Sequence, residues 1–147
     1  MNTDVMIDLE TLDKVPTTVI LSIGIVEFNP EKGIVDTERG LCLHPNIQEQ
    51  IDAGRTISAS TLEWWMKQSE EARKSTFNIH RKSVHETCEN IRDFFSFMDR
   101  PKAWGNGSVF DITIIENFMG YTKVAHTALE DAIAQAERVC EVWPKKK

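Results

Sequence analysis

The sequence predicts an α/β fold in which helices pack on a mixed sheet. Three observations lead there. Segments rich in β-branched residues crowd the stretch from Val5 to Leu43, two helix starts with apolar stripes follow, and a short apolar segment then ends at Gly105-Asn106-Gly107 just before another helix start.

The elements follow in order. Val5 to Leu9 alternates around Met6, Asp8 and Glu10, and Val19 to Phe28 is β-branched and closes at the turn signal Asn29-Pro30, so two neighbouring strands are predicted. A third runs from about Ile34 to Leu43, before Pro45. After a polar stretch, Ser60-Thr-Leu-Glu63 has the pattern of a capping box and predicts a helix whose Leu62, Trp65 and Met66 share a face. A second box, Ser83-Val-His-Glu86, opens a helix striped by Val84, Cys88, Ile91, Phe95 and Met98. Lys102 to Trp104 suits a short strand, Ser108 begins a helix of roughly ten residues with Asp111 in its first turn, and a last helix runs from about Thr127 to Trp143. Lys145 to Lys147 form a basic tail that suits a helix C-terminus.

A length of 147 residues suits a single domain spanning residues 1–147, and no repeat or low-complexity stretch interrupts it. The longest apolar run, Val19 to Phe28, is broken by Ser22, Gly24 and Glu27 and is too short to span a membrane. The acidic N-terminus MNTDVMIDLE lacks the order of a secretory signal, so a cytoplasmic protein is expected. Cys42, Cys88 and Cys140 share no short spacing, which predicts reduced structural thiols rather than a disulfide framework or zinc cluster. A net charge of −6 argues against a protein that coats duplex DNA, but not against an enzyme that gathers its acids around metal ions at a strand end.

The acids carry the chemistry. Strand alternation places Asp8 and Glu10 on one face, and paired carboxylates on an interior strand are costly without a cation; a pair of exposed acids on an edge strand is the plain alternative. Trp104-Gly-Asn-Gly-Ser-Val-Phe-Asp111 brings another acid to the carboxyl end of a strand, where open α/β sheets place ligands, although Asp111 could serve only the helix dipole. In His126-Thr-Ala-Leu-Glu-Asp131, Thr127 and Glu130 form a capping box, so His126 and Asp131 occupy the positions that pack against each other at a helix mouth. An imidazole beside a carboxylate suits a general base, and a structural His near the cap is the alternative.

Together, Asp8-Leu-Glu10, Asp111 after the Trp-Gly-Asn-Gly turn, and His126 with Asp131 resemble the DEDDh, or DnaQ-like, 3′-to-5′ exonucleases of the ribonuclease-H-like fold. Ile7-Asp-Leu-Glu-Thr-Leu12, Ile20-Leu-Ser-Ile-Gly24 and Thr61-Leu-Glu-Trp-Trp-Met-Lys-Gln68 resemble the exodeoxyribonuclease VIII-like subgroup of bacteria and phages, which places the protein in a bacterial cell, host- or phage-encoded. The resemblance implies two divalent cations, magnesium or manganese, held by Asp8, Glu10, Asp111 and Asp131. Asp8 would bridge both ions, Glu10 and Asp131 would complete the site that activates water, and Asp111 would support the cluster. His126 would act as the general base, and single-stranded DNA or RNA 3′ ends would be the substrates. Thr11 and Leu12 could touch the terminal nucleotide, Asn106 could order the turn or a bound strand, and Trp64 could stack a base while Trp65 packs in the core.

The segment between Asp111 and His126 is shorter than in such enzymes, so the last edge strand of the sheet is expected to be missing. That shortening keeps a second reading open: a non-catalytic nucleic-acid-binding or protein-interaction module on a reduced exonuclease scaffold. A homo-oligomer in which an exposed sheet edge pairs with another copy is a third.

Overall fold

A computed structural model describes residues 4–105 and 109–120 of the chain. Three strands come first: β1 (Asp4–Thr11), β2 (Ile20–Asn29) and β3 (Ile34–Leu43). Four helices follow, α1 (Ile47–Asp52), α2 (Ala59–Met66), α3 (Glu70–Phe77) and α4 (Val84–Ser96), and then β4 (Lys102–Gly105) and α5 (Val109–Gly120). The sheet order is β3-β2-β1-β4, with β1, β2 and β3 antiparallel in sequence and β4 parallel to β1. This is the mixed sheet flanked by helices expected of a ribonuclease-H-like fold. Among the described residues no further strand lies outside β4.

Strand alternation divides the sheet into two faces with different fates. Val5 and Ile7 of β1, Ile23 and Ile25 of β2 and Leu43 of β3 point to one side, where they meet Cys88, Ile91, Phe94 and Phe95 of α4 and Ile114, Ile115, Phe118 and Met119 of α5. Burying each such aliphatic side chain contributes about 1.5–3 kcal/mol, so this cluster is the main source of stability. Asp8 and Glu10 lie on the opposite face and stay exposed. A second cluster of Leu12, Val19, Leu21 and Trp65 sits under α2, just past the end of β1.

Helix α4 begins where its capping box indicates, with Ser83 Oγ accepting from the Glu86 amide at 3.1 Å. Helix α2 differs from expectation. Ser58, not Ser60, caps it, accepting from the Thr61 amide at 3.1 Å. Its inward face is Thr61 and Trp65, while Leu62 and Met66 are 45% and 65% exposed, so the predicted shared face holds only for Trp65. The reason is the anchor: Trp65 fills the second cluster, and one turn earlier on that face lies Thr61, not Leu62. Helices α1 and α3 were not expected from the polar stretches that form them. Cys88 is buried in the main core, whereas Cys42 is exposed. The predicted last helix from Thr127 to Trp143, Cys140 and the Lys145 to Lys147 tail lie outside the described residues. No helix among the described residues is long and apolar enough to cross a membrane.

Two buried polar side chains tie these parts together. Gln50 of α1 accepts from the Ile20 amide at 2.8 Å and donates to the Ile20 carbonyl at 2.9 Å, so it completes the backbone pairing of β2 at its first residue. Arg55 donates to the carbonyls of Thr18 at 2.7 Å and Pro16 at 3.1 Å and to Asn117 Oδ1 of α5 at 2.9 Å, and its guanidinium lies 5.4 Å from the Phe118 ring. The planar fork of arginine therefore clamps α5 to the loop between β1 and β2.

Arg55→Lys keeps the charge but cannot reproduce the fork, and it is expected to lower stability by about 2–4 kcal/mol in urea unfolding. A loss below about 1 kcal/mol would show that α5 docks without the clamp. Glu116 of α5 has a buried Oε1 with no hydrogen-bond partner among the described residues, and burial pushes its carboxyl above the ordinary 4.5. The folded state thus holds this proton more tightly than the unfolded state, and stability falls as pH rises from 4.5 through the raised folded value. Glu116→Gln is therefore expected to raise Tm by roughly a few degrees at pH 7 and to leave it unchanged near pH 4; equal effects at both pH values would contradict this.

Candidate active site

The acids lie near the ends of two parallel strands. Strand β4 pairs with β1 so that Gly105, its last residue, lies beside Ile7, one residue before Asp8. Helix α5 then starts at Val109 and carries Asp111 in its first turn. The parallel register thus delivers an acid from a distant part of the sequence to the carboxyl end of β1. Asp8 faces Gly24 and Glu10 faces Ser22 across the β1–β2 ladder, so small residues flank both carboxylates and leave room above them.

Asp8 and Glu10 are exposed on their strand face, whereas Asp111 is 7% exposed. The Glu10 carboxyl is held above its ordinary value by burial first, then by the negative charge of Asp8 and that of Asp111. Charge from both elements reaching Glu10 places the three acids in one electrostatic neighbourhood. Among the described residues, no three His, Cys, Asp or Glu side chains are grouped so as to hold a metal ion by themselves. The donor set nonetheless has the chemistry of a hard-cation site, being all carboxylate oxygen, and a cation there would relieve the repulsion that raises Glu10.

The flanking candidates divide. Thr11 ends β1 half-buried, with its hydroxyl donating to the Asp13 carbonyl at 2.9 Å. Leu12 is 4% exposed and packs with Val19, Leu21 and Trp65, so its side chain faces the second cluster and not the surface. Trp64 is 53% exposed and stands edge-on to Trp65 with ring centroids 5.0 Å apart. Asn106, His126 and Asp131 lie outside the described residues.

Some contributors were not anticipated from sequence. A shallow apolar groove opens beside Asp8, lined by Met6, Val26, Leu41 and Cys42 over Gly24 and Gly40. Gly24, between Asp8 and Cys42 in the cross-strand register, is what keeps that row open, and an unexplained glycine inside a β-branched strand was the available signal. Trp104 Nε1 donates to Asp4 Oδ1 at 2.8 Å, pinning β4 to β1 where the two strands begin.

The exodeoxyribonuclease of Enterobacteria phage T4 is 27% identical over 125 residues, a match covering 76% of this chain and 53% of that protein. The crystal structure of cell-death related nuclease 4 (CRN-4) aligns with 99% of this chain and 51% of its own, at 11% identity and a TM-score of 0.49. The chain thus spans about half the length of both. Residues 3–124 match the 3′-5′ exoribonuclease Rv2179c-like domain, a stretch that includes Asp8, Glu10 and Asp111 and stops short of His126. With most of its length inside that match, the chain belongs to the Rv2179c-like 3′-5′ exoribonuclease domain family.

Proposed function

We propose that this protein is a 3′-to-5′ exonuclease that hydrolyses the terminal phosphodiester bond of single-stranded DNA or RNA and releases nucleoside 5′-monophosphates. The observation that carries this reading is the pairing of β4 beside β1, which brings α5 with Asp111 toward the end of the strand that carries Asp8 and Glu10. Family membership supports the reaction class, and the name of the phage relative supports DNA as well as RNA as a substrate.

In this reading Asp8, Glu10, Asp111 and Asp131 hold two divalent cations, magnesium or manganese. Bound there, the ions supply Lewis-acid stabilisation of the attacking and leaving oxygens of an in-line displacement. The chain's own residues do the rest. Asp8 and Glu10 would hold the ions together with Asp131, and Asp111 would support the set. His126 accepts the proton of the attacking water as its oxygen bonds to phosphorus and the bond to the 3′ oxygen of the penultimate nucleotide breaks.

Chain length supports the participation of His126. Asp111 to Gly120 rises about 14 Å along α5, and the six residues from 121 to 126 can extend about 20 Å, enough to return to the level of Asp111. Trp64 offers a sequence-tolerant stacking surface for a base, Thr11 and Asn106 are placed in the chain to contact the strand end, and Leu12 contributes by packing beneath it. The outer edges of β3 and β4 have no strand partner among the described residues, and pairing there would be the form of a homo-oligomer.

The test is a time course on 3′-labelled single-stranded DNA and RNA with magnesium or manganese. Stepwise release of mononucleotides is expected, slowed at least about 100-fold by Asp8→Ala and by His126→Ala. A folded protein that releases nothing from either substrate with either metal would contradict the enzyme and leave a nucleic-acid-binding or interaction module.

A further inference from the structure

We propose that Trp65 is a positioning residue for Glu10, acting through a β-bulge that its indole N–H holds in place; this rests on the proposed role of Glu10 as a metal ligand. The bulge is visible in the register. Glu10 pairs with Ser22 but Thr11 pairs with Ile20, so Leu21 has no opposite residue. Side-chain facing records the same fault: Ile20 and Ile23, three residues apart, both enter the main core, which strict alternation forbids, while Leu21 joins the second cluster.

A bulge interrupts the ladder, and the backbone groups it frees need other partners. Here side chains supply them. Trp65 Nε1 of α2 donates to the Thr11 carbonyl at 2.9 Å, and Arg81 Nη1 donates to the Leu21 carbonyl at 2.8 Å, so the last residue of β1 and the residue left without an opposite are each held from outside the sheet. Trp65 is suited to the task. It is 5% exposed and its ring is braced edge-on by Trp64 at 5.0 Å and Phe77 at 5.5 Å, which leaves its N–H one direction to point. The Leu12 carbonyl accepts from the Ser58 amide at 2.9 Å, joining the cap of α2 to the same turn of chain.

The extra residue, Leu21, lies on β2, and Glu10 on the facing strand is the last residue paired in register beside it, where a bulge re-aims side chains. Thr11 follows Glu10 directly, so holding the Thr11 carbonyl restrains the strand end from which the Glu10 carboxylate projects. Helix α2 therefore sets how Glu10 meets Asp8 and Asp111 without touching any of them.

The experiment measures manganese binding by the loss of the free-ion electron paramagnetic resonance signal, alongside Tm and exonuclease activity. Trp65→Phe keeps the packed ring and deletes the donor. It is expected to weaken manganese binding 3- to 10-fold and to raise by the same factor the manganese needed for half-maximal activity, with KM for the strand unchanged at saturating manganese. Phe77→Leu removes a brace but not the N–H, and should lower Tm while leaving manganese affinity unchanged. If Trp65→Phe does not fold, benzothienylalanine at position 65, with sulfur in place of N–H and the same shape, takes its place. Manganese affinity within twofold of wild type in the donor-less protein, or an equal loss in Phe77→Leu, would overturn the positioning role and leave the exonuclease intact. A wild-type protein that binds no manganese would overturn the metal-ligand role of Glu10 and the positioning role with it.

Discussion

Carboxylates from two elements lie near the carboxyl end of β1, close enough for the charge of Asp8 and Asp111 to act on Glu10, and most of the fold can be read as the means of holding them there. Asp8 and Glu10 share a face because strand alternation leaves them no choice, and Asp111 arrives because β4 runs parallel to β1 and ends level with Ile7, just before Asp8. The arrangement is unfavourable as it stands. Glu10 is raised by burial and by both neighbours, so its ionisation costs stability as pH rises above 4.5, and a folded chain tolerates this only with enough stability from elsewhere.

The rest of the molecule supplies that stability from the far side of the sheet. Val5 and Ile7 alternate with the acids along the same strand and enter a core completed by α4 and α5. One strand thus carries the strongest apolar anchor on one face and the charged site on the other. The Arg55 clamp and the Trp65 contact then govern the two approaches to the acids: α5, which brings Asp111, and the bulge that follows Glu10. Stability and site geometry are coupled through few, buried and well-partnered side chains.

Much of this was legible in the sequence. The three antiparallel strands, the Ser83 cap and the acids of β1 and α5 carry their own signals: β-branched alternation, a capping box, and a glycine turn before a helix. Helices α1 and α3 were not legible because both are short and neither fully buries an apolar side chain. Their buried residues are Gln50 and Thr76, held by hydrogen bonds and surroundings that appear only in three dimensions. The face of α2 was misread because an eight-residue helix offers too few turns to separate Leu62 and Met66 from Thr61 and Trp65. The bulge at Leu21 was invisible for a related reason: a register fault is a relation between two strands, and neither strand's sequence contains it.

The relation between the acids and a divalent cation is open to direct measurement through the stability of the protein itself. Tm at neutral pH, with and without manganese, reads the repulsion and its relief in one experiment. Manganese should raise the Tm of the wild type, whereas Glu10→Gln should raise Tm without metal and lose most of the manganese response. A wild-type Tm indifferent to manganese, together with a Glu10→Gln protein no more stable than wild type in its absence, would contradict a site built around acids that a cation reconciles.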